Sequence, residues 1–198
     1  MTKEETIEYY KKALLSGKKK LLLHACCGPC TSGVYEQVSP YFDVTVYYYN
    51  PNIYPKNEYE LRLENLNVLN NHFPFKLVSE SYDENEFLNL VKGHEKDKEG
   101  GERCSLCFRM RLKKAAIYAK EKGFDCFTST LSVSPYKNAE LLNKIGNEIE
   151  EEVGISYLYS DFKKHDGYLN SIKNSKTFGL YRQDYCGCRC SKHEEILH

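Results

Sequence analysis

Short apolar runs of strand length alternate with stretches of helical periodicity along most of this chain, and that alternation leaves few architectures open to it. Lys19–Ala25 (KKLLLHA) reads as a buried strand, and Thr31–Val38 as a short helix stopped near Pro40. Asp43–Asn50 (DVTVYYYN) has the β-branched and aromatic composition of a strand, ended by Pro51. Glu58–Asn71 places Leu61, Leu66, Val68 and Leu69 at helical spacings; Lys76–Ser81 reads as a third strand, and Asp83 as the cap of a helix through Val91. The polar, glycine-bearing stretch Gly93–Glu102 reads as a loop. Met110–Lys122 predicts a helix stopped by Gly123, Phe124–Leu131 a strand, Asn138–Val153 a helix and Ile155–Ser160 a strand. A further helix starts at Gly167 and gives way to irregular chain near Cys186.

Strands separated by helices build βαβ units. The expectation is therefore a single α/β domain over residues 1–198, with an open, mainly parallel five-stranded sheet flanked by helices. A chain of 198 residues is long enough for one well-buried core and short for two. Ligands of such sheets sit beyond the carboxyl ends of the strands. The loop that follows the first expected strand reads His24-Ala25-Cys26-Cys27-Gly28-Pro29-Cys30, so architecture and chemistry point to one place.

The opening, Met1–Gly17, carries Lys3, Glu4, Glu5, Glu8, Lys11 and Lys12, which leaves no room for a signal-peptide apolar region. No apolar run approaches membrane-spanning length. Both features place the chain in a reducing cytoplasm, where nine cysteines point to metal binding or redox work rather than disulfides. They fall into three clusters, Cys26-Cys27-x-x-Cys30, Cys104-x-x-Cys107 and Cys186-x-Cys188-x-Cys190. Two intervening residues let a turn direct two thiolates at one metal, and thiolates select zinc, copper(I) or iron–sulfur clusters. A structural zinc site takes four ligands from a compact ribbon or finger. Here the first two clusters are separated by most of three βα units, and there are too many thiols for one site, which favours iron–sulfur over zinc. A thioredoxin-like dithiol leaves the second and third clusters unexplained. Cys126, inside an expected strand, reads as a core residue, and Cys190 stays unassigned.

The formal net charge is zero, but its distribution is uneven. Between Arg103 and Lys122 seven basic residues face one acidic, and from Asp161 to Lys192 seven face three. The cysteine-bearing segments are thus the basic ones, which suits a polyanion; solvated helix faces are the competing explanation.

At these residues the chain resembles the cobalamin-independent epoxyqueuosine reductases, formerly a domain of unknown function. The resemblance rests on Leu22-Leu23-His24-Ala25-Cys26-Cys27-Gly28-Pro29-Cys30, on Tyr49-Asn50-Pro51-Asn52-Ile53 followed by Tyr59 and Arg62, and on Glu102-Arg103-Cys104-x-x-Cys107. It continues through Thr130-Leu131-Ser132-x-Ser134-Pro135-Tyr136-Lys137, Asp161-Phe162-Lys163-Lys164 and Leu180-Tyr181-Arg182-Gln183-x-Tyr185-Cys186-Gly187-Cys188. It implies a fold like the nucleotide α-hydrolase (HUP) group, and an oxidoreductase that reduces epoxyqueuosine in a tRNA anticodon loop to queuosine. It also implies a [4Fe-4S] cluster with an adjacent metal ion, iron, held by Cys26, Cys27, Cys30, Cys104, Cys107, Cys186 and Cys188. The ATP-binding relatives of that fold carry a Ser-Gly-Gly-type loop after the first strand; the cysteine loop here implies that metal replaces nucleotide.

Opening an epoxide to an alkene takes two electrons, protons and activation of a poor leaving group. A cluster transfers single electrons, and an open metal position acts as a Lewis acid. An external donor such as a ferredoxin or flavodoxin is then required. Asp161 is a candidate oxygen ligand or proton donor, with a helix cap or a partner of Lys163 or Lys164 as the alternative. His24 is a candidate hydrogen-bond donor behind the metal ligands or a proton source, with a satisfied core histidine as the alternative. For tRNA, Arg109, Arg111, Lys113 and Lys114 are candidates for phosphates, and Tyr136 or Tyr185 for stacking on a base; Tyr47–Tyr49 read as core. The rival readings are a zinc-stabilised nucleic-acid-binding module and a tRNA sulfur-transfer enzyme of related fold.

Overall fold

The structure, a computed structural model, describes residues 3–164 and 166–191. Helix α1 (Lys3–Ser16) leads into β1 (Lys19–Ala25), α2 (Gly28–Val38), β2 (Phe42–Tyr48), α3 (Lys56–Asn70) and β3 (Lys76–Ser79). Two helices follow, α4 (Glu84–Leu90) and α5 (Glu102–Glu121), then β4 (Cys126–Ser129), a 3-10 turn (Thr130–Val133), α6 (Ala139–Val153), β5 (Ser156–Tyr157) and α7 (Gly167–Phe178). The five strands pair in the order β3-β2-β1-β4-β5, all parallel, as the alternating pattern predicts.

Both faces of the sheet are buried, so β1 from Leu21 to Ala25 is apolar but for His24, as a central parallel strand requires. Leu21, Leu23 and Ala25 pack with Val34, Val38 and Val46 on one face; Leu22 packs with Leu112, Ala115, Ala116 and Ala119 of α5 on the other. Successive side chains of one strand thus serve two cores. Tyr47 and Tyr48 are fully buried and divide between those faces, and Cys126 is core, both as expected. Two glycines allow close approach. A Cβ on Gly33 of α2 would stand 2.2 Å from the Gly167 carbonyl oxygen at the start of α7, and one on Gly146 of α6 would strike the Tyr157 ring.

The sheet order places the switch point between β1 and β4: after β1 the chain moves to one edge through β2 and β3, then returns to β4 on the other side. The loops leaving β1 and β4 therefore diverge and leave a crevice at their carboxyl ends.

Several boundaries differ from the sequence expectation, among them α2, which begins at Gly28, three residues before the expected helix. α5 starts at Glu102, eight residues before the expected helix, and so carries Cys104 and Cys107 in its first two turns instead of a preceding loop. Its opening is satisfied from outside the helix: the Asp97 carboxylate accepts the Arg103 N–H at 3.1 Å, and Arg103 donates its Nη1 to the Glu95 carbonyl at 2.8 Å. β4 ends at Ser129 because Ser129 turns its hydroxyl to accept the Leu131 N–H and starts the 3-10 turn. β5 keeps only Ser156–Tyr157, since Ser160 leaves the ladder to exchange hydrogen bonds with Asn143 of α6.

Candidate metal centre and its cavity

The end of β1 delivers Cys26 to the crevice, and α2 starts two residues later with Cys27 as its N-cap. Pro29 opens the helix without sacrificing an intrahelical hydrogen bond. Thr31 returns both its N–H and its hydroxyl to the Cys27 carbonyl, at 3.1 and 2.8 Å, which fixes the turn. The ligand sulfurs of Cys26, Cys27 and Cys30 lie within 4.8 Å of one another, and Cys26 and Cys27 are 3.8 Å apart. From β4 the Thr130 hydroxyl donates to Cys26 Sγ at 3.4 Å and lies 3.2 Å from the Cys26 N–H. The two loops flanking the switch point are thereby tied together.

The thiols are electrostatically coupled. Hydrogen bonds from Cys27 and Cys30 hold Cys26 well below its ordinary value, with the Arg111 charge adding to the effect. The same bonds act in reverse on their donors, pushing Cys27 up to about 12 and Cys30 well above its usual range. Three sulfurs this close compete for protons, one accepting from the other two. A soft metal displaces the remaining protons, so this donor set fits thiolate-bound metal chemistry.

A cavity of about 480 Å³ opens over this set, with Cys186 also on its wall. A second cavity of about 90 Å³ is lined by Cys104, Cys107, Cys186 and Cys188. The two share Cys186, Arg111, Glu99, Tyr136 and Lys137. All seven cysteines of the family pattern thus reach two adjoining cavities at one end of the sheet. Burial pushes Cys107 up to about 11 and raises Cys104 and Cys188 as well. Facing Cys186 raises Lys137, which stays an ammonium between the two sets. Cys190 is buried with Cys107 and Cys188 in a small cluster on Phe87 and Val91. All nine cysteines are free thiols.

The segment carrying Cys186 and Cys188 is anchored by backbone and by arginine. Ile53 forms an antiparallel bridge with Cys188, and the Tyr54 N–H reaches the Gly187 carbonyl at 2.8 Å. Gly187 has φ +89°, and a Cβ there would meet the Arg62 guanidinium at 2.6 Å, so glycine is required on both counts. Arg62, in turn, is 2% exposed and bonds both Glu58 and the Cys186 carbonyl.

The other sequence candidates divide. His24 lines neither cavity. It is fully buried, its Nε2 donating to the Tyr49 carbonyl at 3.0 Å while its Nδ1 accepts from Ser129 at 2.9 Å. Burial, helped by the Arg111 charge, lowers it to about 3, and its two ring nitrogens tie β1 to β4 and to the end of β2. Asp161 lines neither cavity. Its Oδ2 lies 3.1 Å from Lys164, and its buried Oδ1 accepts no hydrogen bond, with Lys163 at 3.9 Å.

The expected basic face on α5 is largely taken up within the fold. Arg109 pairs with Glu148 at 2.6 Å and Glu152 at 3.7 Å, and Lys113 pairs with Glu152, so both neutralise α6. Arg111 is buried and bonded to Asn50, and Lys114 stands 5.5 Å over the Tyr49 ring. Tyr136 is 78% exposed at the rim of both cavities. Tyr185 lines the larger one, with Arg62 5.3 Å from its ring. Sequence reasoning used Asn52, Arg62, Lys137 and Gln183 only as letters of the resembling blocks. All four line the larger cavity. For Arg62 the one signal was a charged pair four residues apart with Glu58, a spacing that ordinarily marks a solvated helix face.

No helix among the described residues is long and apolar enough to cross a membrane. A family profile described as Epoxyqueuosine reductase QueH matches residues 21–194. Among relatives carrying that description, the protein of Streptococcus pyogenes serotype M1 is 39% identical over 179 residues, covering 87% of this chain and 70% of its own. That of Staphylococcus aureus (strain Mu50) is 40% identical over 179 residues, covering 86% and 75%. That of Thermotoga maritima is 35% identical over 185 residues, covering 89% and 95%.

Proposed function

This chain belongs to the epoxyqueuosine reductase QueH family, and from that membership we infer that it removes the epoxide oxygen of epoxyqueuosine in tRNA to leave queuosine. Each turnover takes up two electrons and two protons and releases one water. The observation that carries this reading is the convergence of Cys26, Cys27 and Cys30 at the carboxyl end of β1, beside a second thiol-lined cavity that shares Cys186. We assign a [4Fe-4S] cluster and a neighbouring metal ion, iron, to these seven cysteines. Bound there, they supply single electrons at low potential and a Lewis acid for the epoxide oxygen.

The chain's own groups do the rest. Arg111 and Lys137 line both cavities and hold positive charge opposite the sulfurs, which favours thiolate over thiol and steadies negative charge developing on the substrate. Thr130 orients Cys26 through its hydroxyl. His24 positions the rim of the sheet without exchanging a proton. Asp161 keeps one buried carboxylate oxygen free of hydrogen bonds, which suits it to a metal or a proton near the rim. Tyr136 offers an exposed ring on which an extruded base stacks at the mouth. An external one-electron donor, a ferredoxin or flavodoxin, completes the cycle in the cytoplasm.

Metal and sulfide analysis of anaerobically purified protein, with visible and EPR spectra, tests the assignment together with reduction of epoxyqueuosine-containing tRNA. Iron and sulfide, both lost when Cys104 and Cys107 are replaced by Ala, are the expected result. A colourless protein holding zinc, or iron content and reduction that survive the double replacement, overturns it.

A further inference from the structure

Four cations line the larger cavity, and three of them are already engaged. Glu58 neutralises Arg62, Arg111 is buried against Asn50, and Lys137 faces Cys186. Arg182, in the segment after α7, is exposed at the mouth. Among the described residues it forms no ion pair, not even with Asp184, which lines the same mouth two residues on. Its partners are neutral. Nη1 donates to Ser171 Oγ at 3.2 Å, and the guanidinium stands 5.3 Å over the Tyr168 ring. Ser171 gives its own proton to the Tyr168 carbonyl at 2.6 Å, so its oxygen is left to accept from Arg182.

This guanidinium is held in place as well as exposed. α7 lies tightly on α2, where Gly33 admits the Gly167 carbonyl and Asn174 bonds Glu36 at 2.8 Å. Next to Arg182, Tyr181 gives its N–H to Asn65 of α3 at 2.6 Å. α2 carries Cys30, so these contacts fix Arg182 relative to the first cysteine cluster. An ordered guanidinium without a counter-ion offers a planar fork of donors that matches a pair of phosphate oxygens. A base extruded into the cavity draws its own backbone to the mouth, because charged phosphodiesters do not follow it into a thiol-lined interior. An acidic protein partner has no such reason to bring its charge there.

We propose that Arg182 is a backbone anchor for the RNA: it grips a phosphodiester directly flanking the extruded base, with Tyr168 and Ser171 holding it in position. The anchor rests on the reductase reading above and deepens it by naming where the RNA chain crosses the rim. A phosphate contact reads no sequence, but it fixes register. The base entering the cavity then meets Cys26, Cys27 and Cys30 in one orientation. The anchor also separates RNA from free nucleoside, which has no phosphate for Arg182 to bind.

The test measures binding of a queuosine-bearing anticodon stem-loop to anaerobic holoenzyme over a series of salt concentrations. Arg182→Gln should weaken binding about fivefold at low salt and flatten the slope of log K against log salt by about 0.7. Arg182→Lys keeps the charge and should keep most of that slope. Queuosine nucleoside should bind wild type and Arg182→Gln within about twofold of each other. A second measurement leaves the protein intact: a neutral methylphosphonate replaces the phosphodiester on each side of the modified base in turn. At one of the two positions wild type should lose about fivefold, and Arg182→Gln should lose nothing further. An unchanged slope in Arg182→Gln overturns the anchor, including one accompanied by slower reduction with an acidic donor protein. Full wild-type affinity for both methylphosphonates overturns it too, as does a nucleoside affinity that falls as far as the RNA's. Failure of the reductase reading shows separately, as wild-type holoenzyme that leaves epoxyqueuosine tRNA unreduced with a strong one-electron donor.

Discussion

The guanidinium of Arg62 donates to the backbone carbonyl of Cys186, 124 residues further along the chain, at 3.0 Å. Its Nε meanwhile holds Glu58 at 2.7 Å, and Tyr181, also from the late segment, reaches the same carboxylate at 3.2 Å. One buried ion pair on α3 therefore pins the third cysteine cluster over the first.

Removing the cation should strand the carboxylate. Arg62→Met leaves Glu58 buried beside an apolar chain, and loss of a buried partner costs about 3 kcal/mol. Urea unfolding should show that loss, and metal content should fall with it as Cys186 is released. An unchanged midpoint with full metal content would mean that the segment is held by other contacts.

His24 should leave a mark on stability against pH. In the fold it stays neutral to about pH 3, whereas the unfolded chain takes up a proton near 6.5. The unfolded state then binds more protons below 6.5, so the contribution is intact above that value and drains away as pH falls towards 3. Between about pH 7 and about pH 5 wild type should lose about 2 kcal/mol more than His24→Gln. Parallel pH profiles of unfolding free energy in the two proteins would show that His24 is not held neutral.

Close packing of α2 on α7 depends on Gly33. Ala at this position would drive its methyl to 2.2 Å from the Gly167 carbonyl oxygen, a backbone atom that moves only with its helix. Gly33→Ala should cost about 2 kcal/mol or more by chemical denaturation. A wild-type midpoint would show that the helices separate freely.

The tRNA footprint should follow the rim, away from the α5–α6 face. Tyr136→Ala should raise KM for tRNA about tenfold with iron content unchanged, the ordinary effect of losing one base stack. The pair Arg109→Gln and Lys113→Gln should alter affinity by about twofold or less and stability by less than ~1 kcal/mol, because both charges already face Glu148 and Glu152 on a half-exposed surface. A large drop in the salt dependence of binding in that double variant would return the footprint to α5.

How far the sequence shows this structure depends on which face each residue serves. β1 runs over Lys19–Ala25, the expected span, because a central parallel strand is apolar on both sides and breaks sharply at its ends. Asp83 caps α4, as expected, and Asn138, expected as the first residue of α6, caps it instead. The start of α5 is hidden for the opposite reason. Arg103 shares its buried face with Cys107 and Phe108, so the apolar stripe of residues 102–109 is short and interrupted, and the helix opening is held by loop groups that no local pattern reveals. The cysteine clusters are plain in the sequence, as is the place of the first of them beyond β1. The cavity's arginines, amides and lysine are not, because a polar residue turned inward looks like one turned to water until its partners, 61 to 124 residues away for the two arginines, are in place.

The antiparallel bridge between Ile53 and Cys188 carries a consequence for the order of assembly. A ribosome exposes the first thiol triad early and the second pair midway, but the sulfurs that close the wall come only after α7 has emerged. On the proposed assignment, completion of the metal centre is thus a late event in the life of each molecule, and a nascent chain stalled before residue 186 offers only part of the donor set.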